Sequence, residues 1–292
     1  MESKSYKGGI IYKINQKTEI ERIGYYYAKN GSEDVKSAKK NLKKLYGRDP
    51  DIVGNAELFN FTTRRAASDV VAGGEAHRLT EGYGFAFPEN KKAVFSYKNN
   101  VNAPDYIGAY PVLVRNGKEE AQNPAGITGS RGRTALGLDK NNENLYVMFV
   151  PDNKGATLWE IRSKFVAEGA ENAINLDGGG STQGITPNGD YLSKRKVRGF
   201  FYIYLKKAKE KETPKTEPAK VESVKAEPAK VTSKNVRVVT AKKGLNIRSG
   251  PGIWHKRVGG LAYGTKVTVL ETSSTWCRIG ENKWVSSLYL KK

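Results

Sequence analysis

Apolar positions recur along this chain with two different periods. Between Ser32 and Gly47, the residues Val35, Ala38, Leu42 and Leu45 fall three or four apart, while Lys39, Lys40, Lys43 and Lys44 take the remaining positions. This spacing predicts an amphipathic helix capped near Ser32 and stopped at Gly47. Thr157-Leu-Trp-Glu160 has the spacing of a capping box, in which hydroxyl and carboxylate each serve the other residue's N–H. Leu158, Ile161, Phe165 and Val166 carry the stripe onward, and Gly169 fits the end of this second helix. Shorter apolar runs predict strands at Tyr83–Phe87, Tyr110–Val114, Thr134–Leu138, Leu145–Val150, Ala173–Leu176 and Gly199–Leu205. Strands and helices interleave, which places this part in the α+β class, with a mixed sheet and helices.

The pattern breaks at residue 206. From 206 to 235 the chain is Lys, Glu, Pro, Ala, Thr and Ser with almost no large apolar residue, and Glu217-Pro-Ala-Lys-Val221 returns as Glu227-Pro-Ala-Lys-Val231. Such a composition cannot bury enough apolar surface to offset its ordering entropy, so a linker is expected. Beyond it, residues 236–292 alternate short Val, Thr, Ile and Leu runs with glycine-rich turns, as a small all-β barrel does. The expected organisation is therefore a domain at 1–205, a linker at 206–235 and a barrel at 236–292. No run reaches the roughly 18 to 20 apolar residues of a membrane span, and Met1–Ile10 lacks the apolar core of an export signal. The single cysteine, Cys277, excludes an intrachain disulfide and any site built from several cysteines.

Charge sharpens this division. The formal net charge is +20, and residues 236–292 hold 11 Lys and Arg against 2 Glu. A basic balance of this size favours encounters with polyanions, whether nucleic acid, anionic lipid or a phosphate-rich wall polymer.

The residues that carry chemistry follow the strand at 173–176, which runs directly into Asp177-Gly-Gly-Gly-Ser181. Consecutive glycines let backbone N–H groups approach an anion without side-chain obstruction. A carboxylate at a strand end can orient sugar hydroxyls, stabilise an oxocarbenium charge, or act as base or nucleophile at an anomeric carbon. A glycine-rich turn in which Asp177 bonds its own backbone has the same composition, and the residues alone leave both readings open. Arg133 offers a fork that matches phosphate oxygens, and Asn175 beside Asp177 can fix hydroxyls. His77, Arg64 and Arg65 lie in loop-like stretches where a proton donor or a phosphate clamp could sit, and ordinary surface roles fit them as well.

Arg131-Gly-Arg-Thr-Ala-Leu-Gly137, then the capped helix, then Asn175-Leu-Asp-Gly-Gly-Gly-Ser181 resembles the core of the phosphodiester glycosidase family. That family is known for uncovering enzymes, which remove N-acetylglucosamine from an α-linked sugar 1-phosphodiester. Upstream, Asn55-Ala-Glu-Leu-Phe-Asn60 is similar to the family's Asn-Gly-Gly-Phe-Phe segment, and Tyr110-Pro-Val-Leu-Val114 followed by Asn116-Gly-Lys118 matches its turn-bounded strand. The resemblance implies Asp177, Arg133 and Asn175 as catalytic residues. It implies Thr134, Gly178, Gly179, Gly180, Ser181, Asn55 and Glu57 as substrate-binding residues. Arg195 stands where the family often has an arginine before its final strand, and a solvated charge run explains it equally. Ala56 and Glu57 replace two glycines of the family pattern, so Glu57 either narrows the pocket or adds a carboxylate. No cofactor is expected, a divalent cation stays open, and the general acid is unassigned.

Gly244-Leu-Asn-Ile-Arg-Ser-Gly-Pro-Gly252, with Trp276 and Lys283-Trp-Val-Ser-Ser-Leu-Tyr-Leu290 after it, resembles bacterial SH3-type domains. The resemblance implies a cell-wall polymer, peptidoglycan or teichoic acid, as partner. Arg248, Trp254, Lys256, Arg257 and Tyr263 are the expected wall-binding residues, with about half of the barrel's aromatic residues in its core. A Cys-His or zinc peptidoglycan hydrolase is the obvious rival. The chain has one cysteine, inside the barrel, and only His77 and His255, which argues against both chemistries. Nucleic-acid binding rests on charge alone, without the motif of a known module, and is not expected. The combined expectation is a wall-targeted hydrolase, reaching its substrate by lysis as a phage lysin does, or by non-classical export. The alternative is a non-catalytic protein that binds sugar phosphate.

Overall fold

Strands buried at every position need apolar cover on both faces, and the first unit supplies it by stacking helix, sheet, sheet and helix. The computed structural model describes residues 1–291 apart from 29–30, 59–65, 79–81, 90–91, 109, 122–125, 208–234, 242–243, 251–256 and 274–275. Two compact units divide at residue 206. In the first, a seven-stranded sheet has the order 2–6, 9–15, 144–150, 133–138, 172–175, 112–115 and 118–119. A five-stranded sheet has the order 189–191, 184–186, 52–55, 199–205 and 20–27.

Alternation sorts the side chains between layers. Leu145, Val147 and Phe149 meet Phe201 and Ile203 between the two sheets. Their neighbours Tyr146, Met148 and Val150 face Leu158, Ile161 and Phe165 of the helix Leu158–Ala167. On the far side, Phe200, Tyr202 and Tyr204 pack against Val35, Ala38 and Leu42 of the helix Val35–Tyr46. A third, five-stranded sheet (75–78, 70–72, 105–108, 83–87, 94–97) adds Val70, Phe85, Phe87 and Ile107 to the central core. Asp105 fastens it, accepting from the N–H of Tyr25 at 2.9 Å and that of Gly73 at 2.7 Å.

The capping box forms as the sequence predicts, with Thr157 and Glu160 serving each other's backbone. The first helix is capped by Asp34 rather than Ser32: its carboxylate accepts from Ser37 N at 2.7 Å, and Leu45 is 43% exposed rather than on the buried face. The domain is dominated by sheet, with only two α-helices among the described residues, and every described ladder is antiparallel where a mixed sheet is expected. Three N-terminal strands, Glu2–Tyr6, Gly9–Asn15 and Ile20–Tyr27, were not legible in the pattern, although Gly9–Asn15 lies inside the large sheet.

In the second unit a three-stranded sheet (266–268, 236–239, 290–291) and a five-stranded sheet (257–261, 245–248, 283–286, 276–280, 271–273) enclose Val239, Leu245, Val269, Cys277 and Val285. None of the described tryptophans or tyrosines of this unit is among those buried residues, contrary to the expectation that about half would be. No helix of the described residues is long and apolar enough to cross a membrane.

Candidate active site

The segment that leaves the strand Asn172–Asn175 is stitched to both stacked sheets. Leu176 N–H donates to Thr134 O and Gly179 N–H to Gly132 O on one side, and Asp177 N–H donates to Ala56 O on the other. Asn55 cross-links the same place. Its Nδ2 donates to Asp177 O at 2.7 Å, and its Oδ1 accepts from Thr134 Oγ1 at 2.7 Å and Gln183 N at 3.0 Å. The glycines are required sterically: a Cβ on Gly178 would stand 2.6 Å from Gly132 O, and Gly179 has φ +58°.

These constraints hold Asp177 and Asn175 at the wall of a cavity of about 640 Å³, a size that accommodates a sugar phosphate. Asp177 Oδ1 accepts from Gly178 N–H at 2.9 Å, while Oδ2 is buried with no hydrogen-bond partner. Burial pushes its carboxyl up to about 6, opposed by Ser181, the Gly178 N–H and the positive charge of Arg195. Asn175 Nδ2 donates to Tyr110 O and to Leu176 O at 2.7 Å each, which leaves its buried Oδ1 without a partner. Two buried acceptors therefore line a polar cavity and lack donors, as sugar hydroxyls would supply.

The opposing charge comes from arginines, and they differ. Arg133 is 1% exposed and donates from Nε to Ala156 O at 2.8 Å and from Nη2 to Ile127 O and Gly129 O at 2.7 and 2.8 Å. Its fork thus holds the loop that walls the cavity, and burial lowers its pKa to about 10. Arg195 donates from Nη1 to Ser181 Oγ at 3.1 Å and places its guanidinium over Gly180. Arg131 is exposed and lines the same cavity, as does Asp152, which accepts from Gly132 N–H at 2.7 Å.

Of the residues predicted for the site, Arg133, Asn175, Asp177, Gly178, Gly179 and Gly180 line the cavity. Asn55, Thr134, Ser181 and Glu57 are buried behind it, the first three within the hydrogen-bond network that shapes it. The glycine loop is not an open ring of donors, because the N–H groups of Gly178, Gly179, Ser181 and Thr182 are bonded within the chain. Glu57 Oε2 accepts from Tyr25 OH at 2.9 Å, and Oε1 is buried without a hydrogen-bond partner. Burial raises the Glu57 carboxyl to about 7, with Tyr25 and Arg198 opposing and the charge of Asp177 adding to the rise. His77 stacks on Tyr27, ring centroids 4.0 Å apart, and is not among the cavity's lining residues; Arg64 and Arg65 lie outside the described residues. Sequence reasoning did not single out Tyr110 or Asp152. The available signal was that Tyr110 opens a predicted strand and Asp152 follows two residues after another. Among the described residues no three His, Cys, Asp or Glu gather to hold a metal ion.

In the second unit Tyr263 is 63% exposed, Arg257 is exposed and Arg248 partly so, while Trp254 and Lys256 lie outside the described residues.

Comparison with known proteins follows the same division. The phosphodiester glycosidase family model matches residues 8–204 and the bacterial SH3 domain model matches residues 243–291. Among solved structures, the zebrafish N-acetylglucosamine-1-phosphodiester alpha-N-acetylglucosaminidase catalytic domain, auto-inhibited by its pro-peptide, is similar with a TM-score of 0.54 and 18% identity, over 67% of this chain and 76% of that one. A hypothetical protein from Synechocystis is similar with a TM-score of 0.50 and 13% identity, over 70% of this chain and 61% of that one. Likenesses at such identities concern the fold. A comparison with curated proteins finds no match. The chain belongs to the phosphodiester glycosidase family, and a bacterial SH3 domain follows that family's domain along it.

Proposed function

We propose that the first unit hydrolyses a glycosyl 1-phosphodiester, or a related glycosidic bond, in a teichoic-acid-like or peptidoglycan-linked polymer, and that the second unit holds the enzyme on the wall. The observation that carries this reading is the pairing, in one cavity, of two unsatisfied buried acceptors with arginine side chains. Sugar hydroxyls satisfy Asn175 Oδ1 and Asp177 Oδ2, while Arg195 and Arg131 meet the anionic phosphate. Asp177, ionised above about pH 6, then acts at the anomeric carbon as base or nucleophile. Water supplies the oxygen that replaces the C1–O bond, and the phosphate leaves as a monoester. A phosphate of this kind needs little protonation to depart. We further propose that residues 206–235 join two separately folding domains.

Digesting purified walls and isolated teichoic acid, with the products identified by mass spectrometry, tests the reading. A free reducing sugar released together with a new phosphomonoester is the expected result. Binding without release of either would support the non-catalytic alternative instead.

A further inference from the structure

Register in the second unit gathers residues that are scattered in the sequence. Arg248 stands opposite Arg257 on one side and Trp284 on the other, and Trp284 stands opposite Arg278, which stands opposite Glu271. Directly opposed residues in antiparallel strands share a face of the sheet. That face points away from the core, because the alternate residues Leu245, Ile247, Cys277, Ile279 and Val285 fill the interior. Trp276, two residues from Arg278, lies on the same outward face. Both tryptophans are partly buried rather than enclosed. This accounts for the lack of aromatic residues in the barrel core among the described residues.

A bulge completes the row. Ile247 pairs with Gly259 but Arg248 pairs with Arg257, so Val258 is left over and Arg257, not Val258, is set against Arg248. Bulges commonly re-aim a side chain in this way. Two strands beyond Arg248, Arg278 pairs with Glu271 at 2.8 Å.

We propose that the outward row Arg257, Arg248, Trp284 and Arg278, with Trp276 beside it, is the surface by which this chain grips a phosphate-bearing wall polymer. The proposal rests on the reading of the second unit as the wall-holding domain. Guanidinium forks match phosphate oxygens, and an indole face covers the apolar side of a sugar ring. Neighbouring strands are about 4.8 Å apart, so Arg248 and Arg278 stand roughly 10 Å apart across Trp284, room for one ring between two phosphates. The positive excess of residues 236–292 favours the same partner.

The test uses the full chain and measures its affinity for isolated teichoic acid, for purified walls, and for walls stripped of phosphate polymer. Wild type should prefer the phosphate-bearing forms. R248A/R257A and W284A should each lose roughly tenfold or more on them, and K266A, on the other sheet, less than about threefold. Should W284A fold poorly, R248A/R257A, which removes no core residue, decides alone. Equal binding of stripped and intact walls would overturn the phosphate assignment, and unaltered binding by R248A/R257A would overturn the surface. Tighter binding of a single-stranded oligonucleotide than of teichoic acid would replace the partner with nucleic acid. Wild type that binds walls as described yet releases no product would refute the hydrolase reading and leave this one standing.

Discussion

At the scale of single residues the site is built at a cost in stability. Asp177 holds its carboxyl at about 6 against an ordinary 3.8, so the folded chain binds that proton more tightly than the unfolded chain does. The resulting penalty is absent below about pH 4, grows as pH rises through about 6, and reaches roughly 3 kcal/mol at neutral pH. Asp177→Asn should therefore lose most turnover yet melt several degrees higher at pH 7, with no such gain near pH 4, as calorimetry at the two pH values would show. Glu57 should set the opposite limb. Once Glu57 ionises, near about 7, a second negative charge behind Asp177 opposes an anionic substrate, so kcat/KM should fall with rising pH. Glu57→Gln should lack that falling limb, and the same limb in the variant would show that Glu57 plays no part in it. The arginines separate binding from architecture. Sequence reasoning gave Arg133 to the substrate. Its three bonds to main-chain carbonyls predict instead that Arg133→Ala destabilises by about 3 kcal/mol, whereas Arg195→Ala should lose activity with little change in melting temperature. The place of Asp177 at the cavity wall was to be expected from the family resemblance, since the glycine run alone left a turn that bonds its own backbone equally open. The work of Arg133 was not, because it depends on carbonyls of residues 127, 129 and 156 that only the folded loops bring together.

Among elements, legibility follows how local the determining contacts are. The capping box of Thr157 and Glu160 needs four consecutive residues and was read correctly, while the first helix takes its cap from Asp34 because the chain before it turns to pair Glu33 with Val197. Strands buried on both faces, such as 144–150 and 199–205, announce themselves by unbroken apolar runs. The strands 2–6 and 20–27 carry charged residues at exposed positions; the first is defined by its hairpin with 9–15, and the second by a partner far along the chain, 199–205. The same contrast predicts unequal costs. Thr157→Ala removes a local cap and should cost about 1 kcal/mol. Asn55→Ala removes the link among the strand 52–55, Thr134 and the Asp177 loop, leaves buried groups unsatisfied, and should cost about 3 kcal/mol together with most of the activity. Denaturant unfolding of the two variants measures the difference. Equal losses would mean that Asn55 does not carry the junction between the sheets.

For the whole molecule, the proposed division of labour between the units makes a prediction that neither unit makes alone. A cut near Thr216 should leave a first unit that cleaves a small soluble sugar phosphodiester at the full chain's rate, since every residue lining the cavity lies between 58 and 195. On intact walls the same truncated enzyme should be slower, because it must find its bond by diffusion instead of working from a held position. Salt then distinguishes attraction by charge from contact by shape. The field of the basic second unit is screened over about 8 Å at physiological ionic strength, so rising salt should slow the full chain on walls toward the truncated enzyme's rate. Some advantage should survive, because indole stacking and close hydrogen bonds respond weakly to ions. Cleavage of the soluble phosphodiester, followed in the same salt series, reports on the arginines of the cavity and should change alike in both forms. If the two forms kept the same ratio of rates on walls at every salt concentration, charge would play no part in targeting, and the positive excess of residues 236–292 would need another explanation.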